Sequence, residues 1–283
     1  MLLKVIAILL VMICSVFWCP FLSEEVMAAE SKETERLDPA KNTDSELAKK
    51  TQNPIADMMS VPLQYNLYTD GALGSSTMSV LNVQPVIPFQ INEDWNLITR
   101  TIIPLISAPT SHGRVTGIGD ASVSFFFSPR KSGTTTWGVG PVFQLPTASD
   151  DALGTQTFGI GPTAVIIKTE KQWVYGGLVN YIHSIGETPN GVKTNLLLIQ
   201  PIVNYNIPKK PGMAISFSPG ITRNFERKSG DRWTVPLGLQ VSQITKFGKQ
   251  PVSLNLGVYK NVVRTSADPD WNFRFQLTYL FPK

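Results

Sequence analysis

Cysteine is scarce in this chain: the 283 residues hold two, Cys14 and Cys19, both close to the start. The rest of the chain can form no disulfide and offers no thiol, so its stability has another source. Histidine is as rare, with His112 and His183 alone, and no close spacing of histidine and carboxylate suggests a metal site. No metal or cofactor is therefore expected. Charged residues make up 16%, well below the usual quarter. The net charge of +4 is spread out, without the Lys/Arg block that would bind nucleic acid. At 42% hydrophobic and a mean hydropathy of +0.02 the chain is too apolar for disorder and too mixed for a helical membrane bundle. With 21 glycines and 21 prolines, long helices are disfavoured.

The first 29 residues read differently from the rest. Lys4 precedes the apolar run Val5 to Trp18, and Pro20 and the small pair Ala28-Ala29 follow. That order is a secretory signal peptide, and the run is shorter than the roughly 20 residues of a spanning helix. An uncleaved anchor is the alternative. Cleavage after Ala29 would remove both cysteines. Residues 30–58 read as a polar linker. Within them Thr43-Asp44-Ser45-Glu46 fits a capping box opening a short helix through about Lys50, which either docks on the body or its mouth or stays a mobile arm.

From Met59 onward the period becomes two. Trp271, Phe273, Phe275, Leu277, Tyr279 and Phe281 alternate with Arg274, Gln276 and Thr278, so a strand puts the two sets on opposite faces. About twelve such segments follow one another, near 59–68, 77–89, 95–107, 117–128, 134–145, 157–169, 172–185, 194–207, 213–224, 232–245, 252–263 and 271–281. Their connections alternate in length. Asn92 to Asp94, Arg130 to Gly133, Glu170-Lys171, Pro208 to Gly212 and Lys246 to Gln250 are short. Thr69 to Ser76, Ala108 to Thr116, Pro146 to Gln156, Gly186 to Lys193, Glu226 to Asp231 and Arg264 to Asp270 are longer and polar. Short turns at one end, long loops at the other and an even strand number describe an all-β, antiparallel outer-membrane barrel over 59–283. A closed barrel leaves no strand edge bare.

Tryptophan placement agrees. Trp95, Trp137 and Trp173 open strands after short turns, Trp233 and Trp271 open strands after long loops, and Phe281 ends the last strand. These are rim positions, where amphipathic rings meet lipid headgroups. Against the pattern stand nine prolines inside the strands: Pro62, Pro85, Pro88, Pro104, Pro141, Pro162, Pro201, Pro219 and Pro236. Each lacks a ladder donor and calls for a bulge or a shorter strand.

Several stretches resemble a bacterial family of outer-membrane transporters that carries the misleading label neuromedin U, related to barrels grouped under the meta-pathway of phenol degradation. They are Leu47 to Pro54, Asp94 to Arg100, Trp137 to Pro146, Gly230 to Gly238 and Phe273 to Lys283. The resemblance covers the chain from about Leu47 to its end. It implies the outer membrane of a Gram-negative cell, with the lipid bilayer and the barrel-assembly machinery as partners and an unidentified small molecule as substrate, hydrophobic or aromatic by analogy. Such barrels end on an aromatic residue; here Phe281 is followed by Pro282-Lys283, which displaces that signal by two residues.

Catalysis finds little footing. His183-Ser184 would suit an outer-membrane lipase, but adjacent strand residues point to opposite faces. Gly117-Ile118-Gly119-Asp120 and Gly159-Ile160-Gly161 precede no helix, so they read as strand glycines rather than nucleotide loops. Asp150-Asp151 suits either a divalent cation or a solvated loop. The remaining candidate site is the lumen, where parity places Gln84, Arg100, Asp120, Gln144, Gln200, Asn204, Arg274 and Gln276, with apolar Ile98, Ile102, Leu196 and Leu198. Arg100 and Arg274 against Asp120 suggest a pairing ladder across the interior. The sequence thus points to a non-enzymatic passive pore or transporter for small molecules, or alternatively to a closed structural barrel with no open lumen.

Overall fold

The computed structural model describes residues 39–69, 76–186 and 191–282, so the signal peptide expected at 1–29 lies outside them. Among the described residues a single helix, α1 (Pro39–Thr51), precedes the strands. It starts at Pro39 rather than at the capping box near Thr43, because proline's fixed φ suits a first helical turn. No helix among the described residues is long and apolar enough to cross a membrane. Strands do that here.

Fifteen strands follow: β1 (Met59–Thr69), β2 (Met78–Val83), β3 (Val86–Gln90), β4 (Trp95–Thr110), β5 (Gly113–Ile118), β6 (Ala121–Pro129), β7 (Thr135–Leu145), β8 (Gly159–Glu170), β9 (Trp173–Ser184), β10 (Asn195–Asn206), β11 (Met213–Phe217), β12 (Ile221–Asn224), β13 (Trp233–Phe247), β14 (Gln250–Val263) and β15 (Trp271–Phe281). They make twelve staves, since β2/β3, β5/β6 and β11/β12 are each one stave interrupted once. Every stave is antiparallel to its neighbours. β1 pairs with β15 from Met59↔Phe281 to Thr69↔Trp271, and β9 pairs with β10 from Trp173↔Tyr205 to His183↔Asn195. The sheet is therefore a closed barrel of the outer-membrane type.

The prolines explain where the staves break. The interruptions fall at Gln84-Pro85, at Gly119-Asp120 and at Ser218-Pro219-Gly220. The first two lie beside prolines of the next stave: Gln84 N–H donates to Pro62 O at 2.9 Å and Gly119 N–H to Pro104 O at 2.8 Å. A strand residue's N–H and C=O point to the same neighbour, so the donors that Pro62 and Pro104 lack face ladders already interrupted. Pro236 sits at a register shift between Val235 and Pro236. Pro141 and Pro162 lie opposite each other between β7 and β8. Their missing donors point outward to β6 and β9, where the ladders skip Gly140-Pro141 and Gly161-Pro162. A Cβ on Gly140 or Gly161 would collide with the Phe125 or Tyr181 carbonyl, so glycine lets the backbones close up there.

One loop expected from sequence is not a loop. Ala108 to Thr116 continues as strand through β4 and β5, turning only at Ser111-His112. Thr110 Oγ1 donates to Gly113 O at 3.1 Å, and Arg114 reaches Ser107 O at 3.1 Å and Thr77 O at 2.7 Å, which ties the hairpin to itself and to the stave before it.

Outward faces are apolar and bare, with Leu239 57% and Ile166 55% exposed. A band of this kind around the whole wall is an interface to lipid rather than to water. At the short-turn rim Trp95 meets Trp137 edge to face at 5.9 Å, Trp173 packs on Tyr205 at 4.8 Å, and Phe281 ends β15. At the opposite rim Trp271 stacks on Phe273 at 6.4 Å, while Arg223 lies over the Trp233 ring at 5.3 Å.

Beyond that rim two loops are clasped. Asp231 accepts the Ser266 backbone N–H at 2.7 Å and pairs with Arg227 at 3.3 Å. These bonds, the Ser266 amide first, hold the Asp231 carboxyl below the usual carboxylate range. The clasp is therefore intact at neutral pH and is lost as pH falls through that depressed value. Amide exchange at Ser266 should speed up in acid and be pH-independent above the usual aspartate range once intrinsic rates are divided out. Within the barrel wall, Leu239→Arg should cost about 2–4 kcal/mol if the band faces lipid, measured by denaturant unfolding in liposomes. A wall facing water would show no such cost.

Candidate functional site

Strand alternation turns two different inner surfaces toward each other. Between β3 and β10, Val86, Ile98, Phe126, Val165, Ile167, Val174, Leu178 and Ile202 form one buried apolar cluster, with Leu198 packed on it and buried Asn96, Ser124, Ser128, Thr163 and Asn180 on the same strands. Ile102 and Leu196 are half-buried. From β10 through β15 and β1 to Gln84 the interior is polar, with Asn66, Gln84, Asn204, Ser216, Ser242, Ser253, Asn255 and Thr278 all buried.

The polar half encloses a cavity of about 160 Å³. Six of the eight sequence-derived lumen residues line it together: Gln84, Arg100, Gln200, Asn204, Arg274 and Gln276. A relay of side chains runs round its wall. Arg100 Nη2 donates to Gln84 Oε1 at 2.7 Å, Gln84 Nε2 to Gln64 Oε1 at 3.3 Å, and Gln64 Nε2 to Asn66 Oδ1 at 3.3 Å. From the other side Arg274 Nε donates to the same Asn66 Oδ1 at 3.0 Å, and its guanidinium lies 4.8 Å from the Tyr259 ring centroid. Gln200 Nε2 donates to Ser218 Oγ at 2.8 Å, and Gln276 Nε2 to Thr278 Oγ1 at 3.0 Å.

The chain segment before β1 closes the short-turn end. Ile55 is 2% exposed and inserts into the apolar cluster, against Phe126 and beside Gly138, where a Cβ would lie 3.3 Å from its Cδ1. Asn53 Oδ1 accepts the Ile55 N–H at 3.1 Å and Asn53 O accepts Ala56 N–H at 3.2 Å, a tight turn that presents Ile55 at its tip. Leu47, Ala48 and Met58 pack with Ile244 and Leu280 on the barrel. Gln52 and Asn206 exchange two amide hydrogen bonds, at 2.9 and 3.0 Å. Full burial of Ile55 alone is worth roughly 1.5–3 kcal/mol. Below this segment lies a second cavity of about 460 Å³, lined by Ile98, Arg130 and Thr136 among others. Lys50, Asn53 and Ala56 line both cavities, so this segment is the partition between them.

Asp120 and Gln144 lie elsewhere, and the pairing of Asp120 with Arg100 and Arg274 is not formed. Asp120 instead accepts the backbone N–H of Ala148 at 3.1 Å, of Thr155 at 2.7 Å and of Gln156 at 3.0 Å. These bonds pin the 146–158 loop to the stave break at Gly119-Asp120 and hold Gln156 in a left-handed φ of 52°. Gln144 Nε2 donates to Thr155 Oγ1 at 2.8 Å and to Thr194 Oγ1 at 3.0 Å in the same knot. Asp150 Oδ1 caps the loop's own Ala152 N–H at 2.9 Å. No cluster of metal-ligating side chains occurs among the described residues. His183 is exposed, whereas Ser184 is buried and accepts the Thr194 amide at 3.2 Å.

Gln64 and Asn66 complete the relay and were recognisable by their alternation with Leu63, Tyr65 and Leu67. Ile55 carried no such signal, because a single apolar residue between polar neighbours has no periodicity to read.

No family model and no curated protein matches the chain. Among solved structures, an outer-membrane channel from Pseudomonas putida F1 has a TM-score of 0.57 at 18% identity, over 79% of this chain and 95% of that one. That likeness extends to the barrel fold. Weaker ones are the NanC porin, with a TM-score of 0.49 at 10% identity over 80% of this chain and 100% of that one, and outer membrane phospholipase A from Escherichia coli, with 0.44 at 11% over 85% and 98%.

Asp120→Ala should release the 146–158 loop, since it strands three backbone donors at a cost of about 1–3 kcal/mol. Limited proteolysis within that loop should accelerate while the heat-modifiable gel mobility of a folded barrel persists.

Proposed function

We propose that the protein is an outer-membrane channel for small solutes whose lumen is closed at rest by its own N-terminal segment. The observation that carries this is the partition: Lys50, Asn53 and Ala56 line both an inner polar cavity and a cavity beneath it. A wall needed only for support has no use for a buried row of amides, hydroxyls and guanidinium groups, which hydrophobic packing would replace at lower desolvation cost. The segment is held by a few contacts, namely Ile55, the Gln52–Asn206 amide pair and the Leu47/Met58 patch. That is a scale of interaction that local unfolding can overcome. The apolar half beside Ile55 suits solutes with a hydrophobic or aromatic body, the class suggested by the transporter resemblance. Membership of that family belongs to this reading, as do secretion through residues 1–29, a Gram-negative outer membrane and insertion by the barrel-assembly machinery.

The reading assigns no catalysis. A hydrolase would need His183 to activate a serine, and the neighbouring Ser184 faces the other way. A closed structural barrel is the second reading, favoured by the apolar cluster that Ile55 completes.

Removal of residues 30–58 decides between the two. Refolded into planar bilayers, the deletion variant should give discrete conductance steps far more often than the intact chain, and Ile55→Asp should fall between them. A deletion variant that is folded by heat-modifiable mobility and passes no current would overturn the channel reading.

A further inference from the structure

The polar cavity has a charge imbalance that its wall does not resolve. Its lining includes three cations, Lys50, Arg100 and Arg274, and no Asp or Glu. Arg100 and Arg274 line the same small cavity. The one carboxylate that parity placed inside, Asp120, is committed to the 146–158 loop. Neither arginine belongs to an ion pair among the described residues.

Among the described residues most guanidinium donors are unused as well. A guanidinium carries five N–H groups. Among the described residues Arg100 makes one side-chain bond, to Gln84, and Arg274 one, to Asn66. Asn66 is fully buried, and its Oδ1 receives Gln64, Asn272 and Arg274 together. Three donors on one oxygen fix the amide's orientation, so its Nδ2 cannot be exchanged for an acceptor by a flip. That Nδ2 is left buried without a partner among the described residues. The relay thus turns Gln84 Oε1 and Asn66 Oδ1 toward the two arginines, and among the described residues it leaves Asn66 Nδ2 and the neighbouring Asn272 Oδ1 over, together with most of the guanidinium N–H groups. A buried donor surplus with two like charges costs free energy unless an acceptor with negative charge satisfies it.

The geometry points to an oxyanion site: we infer that Arg100 and Arg274, positioned by Gln84 and Asn66, bind the carboxylate or phosphate of a small solute in the polar cavity. Arginine forks match planar oxyanions two bonds at a time, which a lysine ammonium does not. A volume of about 160 Å³ admits inorganic phosphate or a small organic acid. The site sits behind the partition, and it requires only that anions reach the lumen, so it stands or falls separately from conduction through an opened channel.

The test is therefore a binding measurement first. Full-length protein folded in detergent is titrated with sodium phosphate and, separately, sodium acetate, at constant ionic strength with sodium chloride, and the temperature of loss of heat-modifiable mobility is recorded. A ligand of the folded state raises that temperature with the logarithm of its concentration. Wild type should shift upward by several degrees, with phosphate or acetate according to which oxyanion the site prefers. The double variant R100Q/R274Q should lose the shift, and Arg100→Lys should retain part of it. Arg130→Gln, at the rim of the other cavity, should behave as wild type and serves as the charge control. No shift in wild type with either anion, or an equal shift in the double variant, would overturn the site. Current through the variant lacking 30–58 adds an independent readout: it should carry anions over cations in a salt gradient, and R100Q/R274Q in that background should lower the anion preference several-fold. Current without selectivity would reject the anion site and leave the channel standing.

Discussion

Everything in this protein depends on where its backbone hydrogen bonds go. A wall facing lipid has no water to satisfy a stray N–H or C=O, so the sheet must close and every stave must be paired on both sides. The chain meets that demand while carrying a proline in most staves. It does so by concentrating its ladder defects: Pro62 beside the Gln84-Pro85 break, Pro104 beside Gly119-Asp120, and Pro141 facing Pro162 with each missing donor turned toward a gap already present. Defects stacked in this way cost the barrel fewer lost bonds than the same prolines scattered would.

The interior follows from the same alternation, with a difference between its halves. Where inward positions are Ile, Val, Leu and Phe they gather into one buried cluster that accepts Ile55 as one more core residue. Where they are Gln, Asn, Ser and Arg, side chains bond sideways to one another along the wall and leave space at the centre. Close packing of apolar groups and lateral satisfaction of polar ones thus give the two sides of one cylinder different interiors.

Much of this was legible in the chain before any coordinates. Period-two alternation located all twelve staves, because one face of each had to be apolar, and it put Arg100, Gln84, Gln200, Asn204, Arg274 and Gln276 on the inner face. Alternation has no information about what a side chain meets across the lumen. Asp120 therefore looked like a counter-ion for the arginines, whereas the break beside it hands its carboxylate to the amides of a neighbouring loop. The helix start was missed because Thr43-Asp44-Ser45-Glu46 resembles a capping box wherever it occurs, while Pro39 sets the start through φ alone. Ile55 was missed for the opposite reason: its role comes from a tertiary fit beside Gly138 that no local pattern encodes.

The interrupted staves have a mechanical side. The β2/β3 and β11/β12 interruptions flank four staves that run without a break in two, β13, β14, β15 and β1, and this is the wall behind the polar cavity. Cutting a tube's stiffness along two lines leaves a panel that can flex against the remainder, so the cross-section deforms from round to oval more easily than a uniform cylinder. The apolar side, knitted by its buried cluster, acts as the stiff frame. Any change in the bore of this barrel is then concentrated on the side that carries Arg274, while Arg100 stays on the frame across the β2/β3 break, and the seam where β1 meets β15 moves with the panel.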